Sequence, residues 1–317
     1  MQATEHRLER EAVHFQWDRS LSPALRIRDG ETVHLRTREV SGGQVQYGAP
    51  TAVVTRLDRS RTYPLTGPVY VEAARPGDVL ALEMLEIIPG DWGWTAIFPG
   101  RGLLAEDFPD PYIRYFELGD RSRVEFRPGV SIPVAPFCGT IGVAPGDPGP
   151  IPVRPPHQGG GNIDTRQLTR DSVLYLPVLV EGALLSLGDG HAAQGDGEVC
   201  LTGIECDLTV AVRVTLVKGR SLRPRTYQLR TADDASPSAI RRFGSSASGP
   251  DLKEDARNAV RGLIDWLGHE WRLSREDAYI LCSLSASLRI SQIVNEPNYC
   301  VTALLPLSIF EGEPAHG

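Results

Sequence analysis

Turn-forming residues interrupt this sequence so often that short strands are the elements it has most room for. It holds 32 glycines and 25 prolines, and clusters such as Arg75-Pro76-Gly77-Asp78 and Pro145-Gly146-Asp147-Pro148-Gly149-Pro150 cut it into short pieces. Between the cuts, apolar residues recur with a period of two. From Val79 to Ile88, Leu80, Leu82 and Met84 fall on one side and Val79, Ala81 and Glu83 on the other; Leu208 to Leu216 alternates in the same way. That is the period of a strand. Many short strands joined by frequent turns imply layered β structure, a sandwich or a barrel.

The pattern changes near residue 251. Leu252, Ala256, Val260, Leu263, Ile264 and Leu267 form an apolar stripe at helical spacing, and Gly268 is placed to end the helix. Ser274 is the expected N-cap of a second helix, and Leu288–Val294 and Tyr299–Leu305 read as strands. The expectation is a mainly β protein, in sandwich or barrel layers, with a C-terminal α+β portion. Residues 1–217 form the β-rich region carrying the site, 218–250 a connecting edge or linker, and 251–317 the α+β region. The small residues Gly244-Ser245-Ser246-Ala247-Ser248-Gly249 read as a linker into the helix.

Chemistry concentrates in Gly188-Asp189-Gly190-His191-Ala192-Ala193-Gln194-Gly195-Asp196-Gly197-Glu198, between two β-like runs. If the first strand continues past Leu187, its two-residue period sets Asp189 and His191 on one face. A tight return then brings Glu198 close to them. Carboxylates and an imidazole converging in this way suit a divalent cation, most readily Zn²⁺. The same Gly-Asp vocabulary also serves an ordinary surface hairpin. A metal site of the two-histidine kind is disfavoured, because only His191 lies in the stretch.

Composition excludes several classes of partner. A net charge of −7 gives no general electrostatic attraction to nucleic acid or to an anionic membrane. No apolar run approaches the length that spans a bilayer, and Met1–Arg10 lacks the apolar core of a signal peptide. The five cysteines, Cys138, Cys200, Cys206, Cys282 and Cys300, show no paired spacing. They fit reduced thiols in a cytoplasmic protein.

Several motifs, taken together and in order, resemble the acetamidase/formamidase family. They are the stretch Gly188–Glu198, Gly160-Gly161-Asn162-Ile163-Asp164, Tyr175-Leu176-Pro177-Val178, Pro136-Phe137-Cys138-Gly139-Thr140-Ile141-Gly142-Val143-Ala144-Pro145 and Ser41-Gly42-Gly43-Gln44. The resemblance runs from about residue 14 to 310. It implies a cytoplasmic hydrolase that cleaves the C–N bond of small linear, or cyclic, amides, assembled as a homodimer or larger homo-oligomer. It raises Asn162 and Asp164 as polar site residues, with Asp164 catalytic. It also raises His14, in His14-Phe15-Gln16-Trp17-Asp18, as facing the site rather than merely edging a strand. Glu39 is a further candidate for completing the substrate site. At Ser287 and Asn295 the sequence departs from the family, whose members favour acidic residues there.

Amides resist hydrolysis because resonance blunts the carbonyl and the amine leaves poorly. A metal polarises the carbonyl and lowers the pKa of bound water, and a carboxylate then moves the proton. On this reading Asp189 and His191 are ligands, and Glu198 is either a third ligand or the general base. A competing mechanism makes Cys138 the nucleophile. Outside enzymology, Asp189, His191 and Glu198 would hold a structural ion in a β-sandwich binding protein. The aromatic loop over residues 90–112, with Trp92, Trp94, Phe98 and Phe108, either walls the pocket or packs a small core of its own.

Overall fold

The computed structural model of the protein describes residues 5–231 and 241–311. The alternating run forms the strand Val79–Pro89, which pairs antiparallel with Leu208–Val217 on one side and with Val173–Pro177 on the other. Leu80, Leu82 and Met84 are buried, while Glu83 faces outward and pairs with Arg213. Opposite Ala211 and Val212 the register skips Leu85, and this bulge lets Ile87 continue the buried row.

These strands lie within a sheet of nine. Its order is Glu5–Leu8, Thr32–Arg36, Leu208–Val217, Val79–Pro89, Val173–Pro177, Thr226–Arg230, Arg242–Gly249, Tyr299–Pro306 and Ser287–Gln292. A second sheet is built on Gly160–Asn162, Phe137–Gly142, Leu185–His191, Leu65–Val71 and Val13–His14, with Leu25–Ile27 parallel to Leu65–Val71. One core joins the two sheets. Val33, Leu82, Val210 and Val212 of the first meet Val69, Ile141, Leu185 and Leu187 of the second. The mainly β, layered expectation therefore holds.

The division into regions looks different in space. The nine-stranded sheet crosses both expected boundaries, because Thr226–Arg230 and Arg242–Gly249 are interior strands of it. The small residues of 244–249 are thus a strand and not a linker. Their size has a packing reason: the helix α1 (Leu252–Trp271) crosses this strand so closely that a Cβ on Gly262 would lie 2.0 Å from Ser245 Oγ. Residues 232–240, within the expected linker, lie outside the described residues.

Helix α1 starts at Asp251, whose side chain accepts from the Glu254 N–H. It runs past Gly268 and stops at Arg272, which takes the left-handed conformation at φ 53°. Gly268 is accommodated as an interior residue, and Trp271 beyond it stacks on Phe310. Helix α2 (Arg275–Ser285) is capped by Ser274 as expected. Ala259, Leu263, Trp266 and Leu267 of α1, with Ala278 and Cys282 of α2, pack on Phe243, Ala247, Ala303 and Leu305 of the sheet, forming a second core.

Candidate active site

The strand Leu185–His191, central in the second sheet, is buried at every residue and carries Asp189 and His191 at its C-terminal end. Asp189 takes a left-handed backbone at φ 55°, and Gly190 follows it. This turn of the chain leaves Asp189 Oδ1 at 3.6 Å from His191 Nε2. Glu198, also left-handed at φ 49°, returns its Oε1 to 3.8 Å from the same nitrogen. Asp164, a third left-handed carboxylate at φ 44°, approaches from the other side, its Oδ1 lying 3.9 Å from His191 Nδ1. Such conformations cost roughly 1 kcal/mol or more each for a residue with a Cβ, and they persist where surrounding structure imposes them.

Glu205 was not anticipated. Its Oε1 lies 3.0 Å from His191 Nε2, nearer than any of the expected acids. It is held there by backbone bridges to His191 and Trp94. The available signal was an acid set between the apolar Ile204 and Cys206, just before the alternating run. Asp164, Asp189 and His191 form one compact group, and His191, Glu198 and Glu205 another. Asp189 and Glu198 thus belong to different halves of the cluster and meet through the imidazole.

Neighbouring residues set the geometry. His191 Nδ1 donates to Gln194 Oε1 at 2.8 Å, while Gln194 Nε2 donates to the carbonyl of Asp164 at 3.1 Å. With Nδ1 committed to Gln194, Nε2 is the nitrogen that faces Asp189, Glu198 and Glu205 and would be the one offered to a metal. Thr140 Oγ1 donates to Asn162 Oδ1 at 2.5 Å and lies 3.1 Å from Asp189 Oδ2. Asn295 Nδ2 donates to Asp164 Oδ2 at 2.5 Å. Gly139 makes room for the acids: a Cβ there would lie 2.6 Å from Asp164 Oδ1 and 2.9 Å from Asp189 Oδ2.

All five cluster residues are buried, with exposures of 0% for Asp164, 3% for Asp189, 1% for His191, 6% for Glu198 and 2% for Glu205. Crowded carboxylates in a dry site cannot all be charged without compensation. Burial, then the Asp189 charge, holds the Asp164 carboxyl well above the usual range. Burial, then Asp164, does the same to Glu198. Glu205 is pushed up to about 7, chiefly by burial. For His191, burial alone would favour the neutral ring, but Glu205 and Asp189 hold it well above its ordinary value.

This charge set fits a divalent cation. Asp164 Oδ1 and Glu205 Oε2 are buried without a hydrogen-bond partner among the described residues. Free carboxylate oxygens beside an imidazole are the donors that such an ion takes.

A cavity of about 760 Å³ opens onto the cluster, with Asp189, Glu198 and Glu205 in its lining. Asn162 and His14 also line it. His14 is fixed by Gln16 O and Ser186 Oγ, both at 2.8 Å. Tyr63 lines it too; burial, then the charges of Asp189 and Glu198, push its phenol well above the ordinary value, so it remains a donor. Glu39 lies apart from the cavity lining. Its carboxylate accepts from Ser41 N and Oγ, Gly43 N and Trp94 Nε1, which commits it to its own loop. Of the aromatic loop, Trp94 and Phe98 do both jobs, lining the cavity and packing a small core with Val45 and Ile113, while Phe108 is exposed.

Cys138 is buried in the main core, and burial, then Asp189, push its thiol up to about 12. A thiolate is the nucleophilic form. Ser287 lies exposed at the start of the edge strand Ser287–Gln292.

Acids and an imidazole gathered beneath an open cavity, on a layered β scaffold, are the equipment of a hydrolytic enzyme. The family model described as "Acetamidase/Formamidase family" matches residues 2–148 and 151–312. An acetamidase of Mycolicibacterium smegmatis is 27% identical, over 86% of this chain and 85% of that protein. The crystal structure of an acetamidase from Bacillus halodurans superposes with a TM-score of 0.87 at 35% identity, covering 96% of this chain and 98% of that one. A predicted acetamidase/formamidase from Thermoanaerobacter tengcongensis gives 0.88 at 31%, covering 97% of each. This chain belongs to the acetamidase/formamidase family and is an amidohydrolase.

Proposed function

We propose that the protein hydrolyses small amides, such as formamide or acetamide, at the His191 cluster with water activated by a divalent metal. The observation that carries this reading is the access of the cavity to Asp189, Glu198 and Glu205. A purely structural ion site is closed, whereas here solvent space reaches the acids, which favours an enzyme over a metal-stabilised binding protein.

Asp164, Asp189 and His191 would hold the ion, with the unpartnered Oε2 of Glu205, from the group on the other side of the imidazole, as a further donor; Zn²⁺ suits this mixture of nitrogen and oxygen ligands. When bound, the metal supplies a Lewis acid that makes water a nucleophile near neutral pH. Glu198, farthest of the three acids from His191 Nε2 and facing the cavity, takes the proton of the attacking water. It returns that proton to the nitrogen as the C–N bond breaks. One water and one amide give one carboxylic acid and one ammonia, which at neutral pH part as carboxylate and ammonium. Tyr63, Asn162 and His14 supply polar contacts to the amide from the cavity wall.

Cavity geometry does not favour Cys138, which lies outside the lining. Five unpaired cysteines support a reducing, cytoplasmic setting. An exposed apolar face on α2 and the neighbouring edge strand, with Tyr279, Leu284 and Leu288, supports self-association into a homo-oligomer, which light scattering tests. The experiment for the activity is ammonia release from formamide, acetamide and propionamide, before and after chelation. Release that chelation abolishes and Zn²⁺ restores is expected. Unchanged release from metal-free protein would remove the metal from the mechanism.

A further inference from the structure

The cavity is far larger than acetamide requires. A four-heavy-atom amide fills the space of about three waters at ~30 Å³ each, against a cavity of about 760 Å³. Part of its wall beyond the cluster is apolar, with Phe15, Leu57, Phe98 and Leu201 among the lining residues. Such walls suit a hydrocarbon body.

Arg59, Arg101 and Arg154 also line this space. Arg101 and Arg154 are half-buried, Arg59 is exposed, and none of the three forms an ion pair among the described residues. Arg154 spends one donor on the backbone carbonyl of Glu296, at 3.1 Å. The other donors of these guanidiniums meet no carboxylate among the described residues. Burial, and then repulsion from Arg154 and Arg59, lower the Arg101 pKa, and the attraction of Glu296 is weaker than either repulsion. Asp18, the remaining acid in the lining, accepts from Ser20 N and Oγ. In a chain of net charge −7, three arginines lining one cavity with no ion-pair partner among the described residues offer an anion charge-assisted hydrogen bonds.

We propose that this site prefers amides carrying a carboxylate at the far end of an apolar chain, the amide lying against the His191 cluster and the carboxylate on Arg59, Arg101 and Arg154. The inference rests on the amidase reading and narrows its substrate class. Hydrolysis then yields a dicarboxylate and ammonium with the same atom balance.

The test compares succinamate, glutaramate and adipamate with neutral primary amides of matching length. At least one acidic amide should exceed its neutral counterpart in kcat/KM by about tenfold or more, mostly through KM, as charge-assisted hydrogen bonds allow. An Arg101→Ala, Arg154→Ala double variant should lose about tenfold of that ratio, and Arg59→Ala, on an exposed residue, serves should the double variant misfold. A wild-type ratio at or below one for every length overturns the proposal, as does a ratio that the variants leave unchanged. Should no amide be hydrolysed, calorimetric binding of the same pairs separates the two readings. Tighter binding of the acidic amide that the variants lose would uphold the anion site and sink the amidase; equal binding would sink the anion site.

Discussion

Asn295 reaches across 131 residues of sequence to donate its amide to Asp164 Oδ2, at 2.5 Å in a fully buried contact. Because Asp164 Oδ1 has no hydrogen-bond partner among the described residues, this is the hydrogen bond that orients the carboxylate. Asn295→Ala should destabilise the protein by about 1–3 kcal/mol, the cost of leaving a buried acceptor unsatisfied, and should reduce turnover. Thermal unfolding and ammonia release measure the two effects. A variant as stable and active as the parent would mean that Asp164 is oriented by something else.

The metal reading separates the acids. Elemental analysis should find a divalent ion bound to the purified protein, and His191→Ala should lose most of it together with activity. Glu198→Gln keeps the shape of the side chain but cannot accept a proton. It should retain metal and lose turnover by about 10²-fold or more, the typical contribution of general base catalysis. Glu205→Gln should lower metal content. Were Glu198→Gln to shed the metal instead, Glu198 would be a ligand.

Gly139 lies so close to Asp164 and Asp189 that a methyl group must displace one carboxylate. Gly139→Ala should therefore fold, by circular dichroism, yet lose about a hundredfold in kcat, the usual consequence of a misplacement near 1 Å. Normal kcat would show that the acids tolerate movement.

Cys138→Ala tests the thiolate mechanism. With its thiol pushed up to about 12, Cys138 holds almost no thiolate at neutral pH. Activity within about twofold of the parent is expected, since the residue's role is packing. A dead but folded variant would restore the nucleophile.

His157 makes stability depend on pH. Burial, with a smaller contribution from Arg225, lowers its pKa to about 3, and Nδ1 accepts from the Gly159 N–H. The unfolded chain, with an ordinary histidine near 6.5, binds the proton first as pH falls. Stability is thus complete above about pH 6.5 and is lost toward pH 3, by up to about 1.4 kcal/mol per pH unit. His157→Gln, which cannot titrate, should flatten this slope in denaturant titrations at pH 7, 5.5 and 4.5. Parallel slopes for the two proteins would assign acid sensitivity elsewhere.

Local regularities were legible in the sequence. Leu80, Leu82 and Met84 face the core because strand periodicity dictates it, and Ser274 caps α2 because its hydroxyl suits the first turn. The pairing of Asp189 with His191 follows from their spacing along one strand. Glu205 and Thr140 were not legible, since they reach the cluster through pairing between strands that no local pattern encodes, and Gln194, though only three residues from His191, gains its role through a second contact to Asp164, 30 residues away. Glu39 shows the converse: its residue type suggested the site, but its own loop supplies its donors. The small residues of Gly244–Gly249 suggested a linker, whereas their size lets Ser245 lie close against Gly262 in a strand of the sheet.

The Asn295–Asp164 contact also imposes an order on synthesis. At about 5–20 residues per second, a ribosome needs roughly ten seconds to pass from Asp164 to Asn295. During that interval Asp164 lacks its donor. The strand Tyr299–Pro306, which joins Arg242–Gly249 to the edge strand Ser287–Gln292, emerges later still. The nascent chain therefore carries an unfinished His191 cluster and an uncovered sheet edge until these later strands appear. Chaperone dependence should accordingly be greatest late in translation, when most of the polypeptide already exists.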